Sequence, residues 1–318
     1  MNPCSACGHD NALDSVACAE CGAAVGAEAL RESGDWAGLA EHLLAVMEGD
    51  SAGASTAALE LAEVYEVRLG EPERAATVFE WMLERLPGDS HALRELERLY
   101  GTLEHWGQLV ETYQRRAAGT TDVFEQLASL EKQALVQGDA QGDEEAVRAT
   151  CLEAMTLMPG CEWAWARLEV SHEADQSWWA LVQSLTQVAM TAGAQSGVVT
   201  QRIAMVMDEH LEVTDKAIAL YEASIESGGD GRTALEALEG LYAEAEDWAQ
   251  LAHTYARIIP LEDHPETIAE LHRKRAMVLA DGVGDMAGAV AVYEGLLKDD
   301  PEDSEVVAAV EALRARMA

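Results

Sequence analysis

Four of the six cysteines fall within the first 21 residues, Cys4, Cys7, Cys18 and Cys21, as two C-x2-C pairs ten residues apart. Two thiols three positions apart can grip one metal ion from a tight turn. A second such turn completes a tetrahedral set of four sulfurs, which suits zinc. Gly8 and Gly22 follow the two pairs, where a positive φ lets each turn close and aims backbone N–H groups at the thiolates. The segment has few apolar residues, so metal binding must supply most of its folding free energy, on the order of 10 kcal/mol or more. A redox dithiol and a rubredoxin-type iron site are the competing readings. A redox C-x2-C opens a helix in a βαβ unit, and nothing here reads as strand, helix, strand. With four thiolates the site is closed, so His9 reads as a solvated turn residue and the expected zinc, one per chain, is structural.

Other chemistry is hard to find. The chain lacks the phosphate-binding GxxxxGK[ST], the GxSxG nucleophile elbow, HExxH, and a GxGxxG after a strand. Its nine histidines are scattered without ligand spacing. The stretch Ser227-Gly228-Gly229-Asp230-Gly231 has no following lysine and reads as a loop. Cys151 and Cys161 sit where small or medium apolar groups are wanted, which predicts buried, reduced thiols. No catalytic site is expected.

The charge narrows the partners. Fifty-eight Asp and Glu against 21 Lys and Arg leave a formal −37. Such a surface repels phosphate backbones and anionic lipid heads. With 49% apolar residues and seven prolines the chain can still bury a core, so it is no disordered polyanion. No basic and apolar leader opens the sequence, and no apolar run approaches the roughly 20 residues that span a bilayer. A cytoplasmic protein with reduced cysteines is expected.

Residues 1–26 resemble a short bacterial zinc ribbon, in which CxxCG knuckles flank a polar insert. Many ribbons of that type touch nucleic acid. This one carries Asp10, Asp14 and Glu20 and has no Lys or Arg before Arg31. A tetrathiolate zinc adds two further negative charges, so protein contact is the better expectation.

From residue 27 to 318 the apolar residues recur at three and four, as in Leu39, Leu43, Leu44 and Met47. Breaks at Gly34-Asp35, Gly70-Glu71-Pro72, Pro87-Gly88-Asp89 and Gly284-Asp285 are evenly spaced. Trp36, Trp106, Trp179 and Trp248 are 70, 73 and 69 residues apart. The segment from Leu93 to Tyr113 aligns without a gap on Leu235 to Tyr255, and 70–89 aligns on 284–303. Half of a 70-residue period is two helices and their turns. That length resembles the tetratricopeptide repeat. Its pattern is met by Gly70, Ala75, Phe79 and Pro87, again by Gly284, Ala289, Tyr293 and Pro301, and in part by Ala217 and Tyr221. The resemblance implies an all-α, right-handed α-solenoid of about eight hairpins, with a helix near 304–317 as its cap. Residues 134–192 depart most, with Cys151 in place of the aromatic and Thr186 in place of a tyrosine.

The recurring tryptophans read as packing at the start of each second helix. Trp163 with Trp165, and Trp178 with Trp179, crowd one stretch too closely for all to face inward, which makes it a candidate partner groove. Two basic islands, Arg94, Arg98, Arg115 and Arg116, then His272-Arg273-Lys274-Arg275, read mainly as partners for the abundant glutamates. The sharper reading is a docking point for an acidic peptide, with Arg94 and Arg98 as candidates. The expected function is therefore a non-catalytic protein–protein scaffold. The alternative is an accessory subunit of a nucleic-acid-processing complex that uses the ribbon for contact.

Overall fold

The computed structural model describes residues 2–3, 8–11, 18–20, 26–49 and 53–318. It falls into two compact units, Met1–Cys151 and Leu152–Ala318. In the N-terminal segment β1 (Asn2–Pro3) pairs antiparallel with β2 (Asp10–Asn11), Asn2 facing Asn11 and Pro3 facing Asp10. All other elements among the described residues are helices.

Seventeen α-helices follow among the described residues. They form eight hairpins: α1 (Ala27–Ser33) with α2 (Trp36–Glu48), α3 (Ala54–Glu63) with α4 (Pro72–Arg85), α5 (Ser90–Thr102) with α6 (Trp106–Ala118), and α7 (Val123–Leu135) with α8 (Glu144–Leu157). Then come α9 (Glu162–Asp175) with α10 (Trp178–Thr191), and α11 (Ser196–Glu209) with α12 (Thr214–Glu226). The last two are α13 (Gly231–Glu244) with α14 (Trp248–Ile258), and α15 (Pro265–Met277) with α16 (Met286–Asp299). The single helix α17 (Ser304–Met317) closes the array. Consecutive helices pack on one another from α1 to α7 in the first unit and from α9 to α17 in the second. The expectation of eight hairpins and a terminal helix is met.

The 70-residue period has a physical origin in two alternating turns. Every hairpin reverses through one left-handed residue, in order Gly34, Gly70, Glu104, Gly142, Gln176, Glu212, Glu246 and Gly284. At the second, fourth, sixth and eighth turns an N–H reaches back six residues, as from Glu71 to the Tyr65 carbonyl at 2.8 Å and from Asp285 to Leu279 at 2.7 Å. In three of these the last turn of the helix widens into a π turn, Val64–Leu69, Val136–Gln141 and Val278–Val283. At the other four the bond spans five residues, as from His105 to Tyr100 and from Asp247 to Tyr242, both 2.9 Å. Both arrangements satisfy carbonyls that a helix end leaves open.

Part of the negative charge is spent at helix starts. Asp35, Asp89, Asp122, Asp230, Asp247, Asp285 and Asp303 each accept hydrogen bonds from first-turn amides. Each such cap stabilises its helix by about 1 kcal/mol. The core consists of small and branched residues on facing helices. Ala75, Ala217 and Ala289 are fully buried at the close-approach position, with Phe79 and Tyr221 buried one turn on. Cys151 and Cys161 are buried and free of disulfide, as expected. The glycine-rich loop does what a loop would: Gly229 lies so close to Gly197 that a Cβ on Gly197 would come within 2.4 Å of its amide.

One element of the repeat is corrected. The tryptophan that opens α10 is Trp178, which is buried, whereas Trp179 is 54% exposed. The helix-opening series is Trp36, Trp106, Trp178 and Trp248, so the spacings become 70, 72 and 70. The buried Leu185, and not Thr186, then takes the place of Tyr113 and Tyr255. Three of these rings rest on the end of the following hairpin's first helix. The Arg68 guanidinium lies 4.6 Å over Trp36, His210 stacks on Trp178 at 3.6 Å, and Gly282 leaves room for Trp248.

Candidate partner-binding site

Most cations are consumed inside the units. At least thirteen of the 21 Lys and Arg meet a carboxylate within 4 Å. Five of these pairs join residues 35 positions apart, one hairpin along: Glu80–Arg115, Glu97–Lys132, Glu222–Arg257, Glu239–Lys274 and Asp281–Arg316. In the first four a tyrosine hydroxyl also donates to the glutamate, from Tyr100, Tyr113, Tyr242 and Tyr255 respectively. The basic islands therefore serve mainly as inter-hairpin staples. Arg98 is one of them, bound to Glu66 and Glu95, whose hydrogen bonds raise its pKa against the opposing effect of burial. It is not a free docking residue.

Arg94 is different. Its Nε donates to the Ser90 carbonyl of its own helix at 3.2 Å, and among the described residues no carboxylate reaches its guanidinium. It lines a cavity of about 340 Å³ whose walls come from the start of α5, the end of α6 and residues Glu125 to Lys132 of α7. Arg116 and Lys132 project into the same cavity, with the hydroxyl-bearing Ser90, Thr120 and Ser129 beside them. Arg116 and Lys132 share one carboxylate, Glu97, at 3.0 and 2.6 Å. Burial pushes the Glu97 carboxyl up, but the Lys132 hydrogen bond, the Arg116 charge and the Tyr113 hydroxyl outweigh it and hold the group below its ordinary value. Glu125 also lines the cavity, tied down by the Thr120 hydroxyl at 2.7 Å. Three cations against two carboxylates leave a local excess of +1 in a chain of −37. Phe124, 75% exposed, stands one turn before Ala128 of the cavity wall. Sequence spacing brought Arg94 and Arg116 forward, but Lys132 and Phe124 carried no signal until α5, α6 and α7 were placed together.

The four candidate tryptophans separate. Trp165 is buried beneath Arg202, 5.0 Å from its ring centre, and Trp178 is buried against His210. Trp163 is half-buried. Only Trp179 presents a large apolar face to solvent, with Lys216 Nζ 5.6 Å from its ring centre.

Of the four N-terminal cysteines, Cys4, Cys7 and Cys21 lie outside the described residues. Cys18 is buried. The β1–β2 pair brackets the first C-x2-C, and Gly8, directly after it, has φ +77°. His9 is half-exposed with its Nδ1 4.0 Å from Glu20. Of the four expected ligands Cys18 alone lies among the described residues, and those residues contain no group of three or more His, Cys, Asp or Glu placed to hold a metal.

No family model matches this chain, and no curated protein does either. Among solved structures it is similar to a chain of Naa15/Naa10 bound to HypK-THB, at 11% identity and TM-score 0.40, over 88% of this chain and 42% of that one. It is similar to MamA at 16% identity and TM-score 0.29, over 63% of this chain and 96% of that one. It is also similar to a tetratricopeptide repeat protein from Parabacteroides merdae ATCC 43184, at 11% identity and TM-score 0.28, over 91% and 96%. The chain spans less than half the length of the first of these.

Proposed function

We propose that the chain is a non-catalytic, tetratricopeptide-like scaffold that docks a carboxylate-bearing segment of a partner protein in the Arg94 cavity. The observation that supports this reading is that the Arg94 guanidinium, held by the Ser90 carbonyl, meets no carboxylate among the described residues and lies among converging cations, in a chain whose other basic side chains are largely paired. A peptide carboxylate would bridge Arg94 and Arg116 through paired N–H donors, while Phe124 offers an apolar anchor at the rim. The surrounding negative surface would select against partners of high overall acidity, so the acidic segment is short. The N-terminal segment is a zinc ribbon in this reading, with Cys4, Cys7, Cys18 and Cys21 holding one structural ion. A closed tetrathiolate supplies folding free energy and no open coordination position.

The test uses the full chain and two fluorescent six-residue peptides, one of Asp and Glu, the other of Asn and Gln. Tighter binding of the acidic peptide, weakened about tenfold by Arg94→Glu, supports the proposal. Equal affinity for both, or no effect of Arg94→Glu, refutes it.

A further inference from the structure

Residues 176–201 contain no Asp, Glu, Lys or Arg, although one residue in four of the whole chain is charged. This stretch comprises the whole of α10 and the start of α11. A long uncharged run in an acidic protein is ordinarily buried, yet the outer face of α10 is not. Trp179 is 54% exposed at its start and Met190 is 76% exposed at its end. These two residues, eleven positions apart, fall on one helix face three turns long, about 16 Å. Between α10 and α12, with α11 as floor, runs an open groove of about 520 Å³. Val182, Met190, Ile203, Met207 and Leu220 make it apolar, and Lys216 lines it from α12 while its Nζ also lies 5.6 Å from the Trp179 ring centre. Lys216 rests against the Trp179 ring and meets no carboxylate among the described residues.

We infer that this groove receives an amphipathic α-helix of a partner protein, its apolar stripe lying along α10 and one of its carboxylates meeting Lys216. The exposed face of α10 from Trp179 to Met190 suits three helical turns, the number over which residues at i, i+4, i+7 and i+11 form one stripe. The absence of charge on α10 lets that stripe lie down without desolvating an ion. The unpaired Lys216 sets the sign of the flanking residue and the direction of the bound helix. Flexible Met190 and Met207 suit a surface that repacks around a ligand. This site shares no residue with the Arg94 cavity, and its failure would leave that reading standing.

The experiment titrates the full chain with two fluorescent 15-residue Ala-based helices carrying the same four-leucine stripe, one ending in Glu and the other in Lys at the flank. Quenching of Trp179 is followed, with Trp179→Phe as the blank. Binding of the Glu-flanked helix, several-fold tighter than its Lys counterpart, is expected. Met190→Glu should weaken it about tenfold, Lys216→Glu should invert the order of the two helices, and Arg94→Glu should change neither. Met190 and Lys216 are exposed, and unchanged circular dichroism would establish that the variants fold. Failure of both helices to bind overturns the inference, as does binding that ignores Met190→Glu. Self-association of the chain that Met190→Glu abolishes would overturn it too, by giving the groove to a second copy.

Discussion

Lys132 Nζ sits 2.6 Å from Glu97 Oε1, on the same carboxyl oxygen that accepts the Tyr113 hydroxyl at 3.1 Å. Glu239, Tyr255 and Lys274 repeat this arrangement 142 residues later, with the tyrosine at 3.0 Å and the lysine at 3.9 Å. Glu80 with Tyr100 and Arg115, and Glu222 with Tyr242 and Arg257, form the same clasp on the second helices. Each clasp joins a buried phenol, a half-buried carboxylate and a cation from the next hairpin. The charge on successive hairpins is thus a means of stacking them as well as a coat.

Tyr113→Phe should destabilise the first unit by about 0.5–1.5 kcal/mol, the worth of one hydrogen bond, read as a lower urea midpoint. The pH dependence follows from Glu97. Its folded carboxyl titrates below the ordinary 4.5, so its stabilisation is complete above that value and is lost as pH falls through the folded one. Glu97→Gln should therefore flatten the acid limb of the stability profile. On the alkaline side, burial first and the Glu97 charge second push Tyr113 up to about 12. Its contribution is full below pH 10 and fades as pH rises through about 12. An unchanged acid limb in Glu97→Gln would contradict the clasp.

Glu104, Gln176, Glu212 and Glu246 hold the left-handed turn position that glycine fills elsewhere. An L-residue there costs about 1–2 kcal/mol relative to its usual regions, partly offset by the chain entropy of glycine. Glu246→Gly should raise stability by about 0.5–1 kcal/mol, and Gly284→Ala should lower it by a similar amount. Thermal melts of the two variants check the pair of opposite signs.

Gly282 gives Trp248 its seat. A Cβ there would come within 2.5 Å of the indole Cγ, so Gly282→Ala must displace the ring and should cost about 1–3 kcal/mol. Gly240→Ala on α13, with nothing within 4 Å of the new methyl, is the neutral comparison. Equal loss in both variants would show that Trp248 is not seated there.

Zinc analysis of the purified chain should give one ion per molecule. Cys4→Ser combined with Cys18→Ser should abolish it and leave the helical circular dichroism intact. Melting of the repeats in that variant would contradict the proposal that residues 1–26 fold as a separate zinc ribbon.

Much of the fold was legible because its repeat leaves marks that need no tertiary knowledge. Gly34, Gly70 and Gly284 stand at left-handed turn positions that favour glycine, and the caps Asp35 and Asp285 directly follow two of them. The register around α10 was misread because Trp178 and Trp179 are chemically equal in sequence. What separates them is His210, which stacks on the first and is 32 residues away. The Arg94 cavity was half legible. Arg94 and Arg116 stand out as basic residues, but nothing in the sequence distinguishes Arg98, which pairs with carboxylates, from Arg94, which meets none among the described residues. That difference depends on Glu66, placed by a preceding hairpin. Lys132 belongs to α7, and only packing brings it to Glu97 of α5.

The most direct test of the docking proposal is site-specific photo-crosslinking in cells that make this protein. A photoreactive residue is placed at 94, and a second chain carries it at exposed Glu226 as control. The account predicts one stoichiometric adduct from position 94, mapped to an acidic stretch of the partner and absent from position 226. No adduct at 94, or the same spectrum of adducts from both positions, would contradict it.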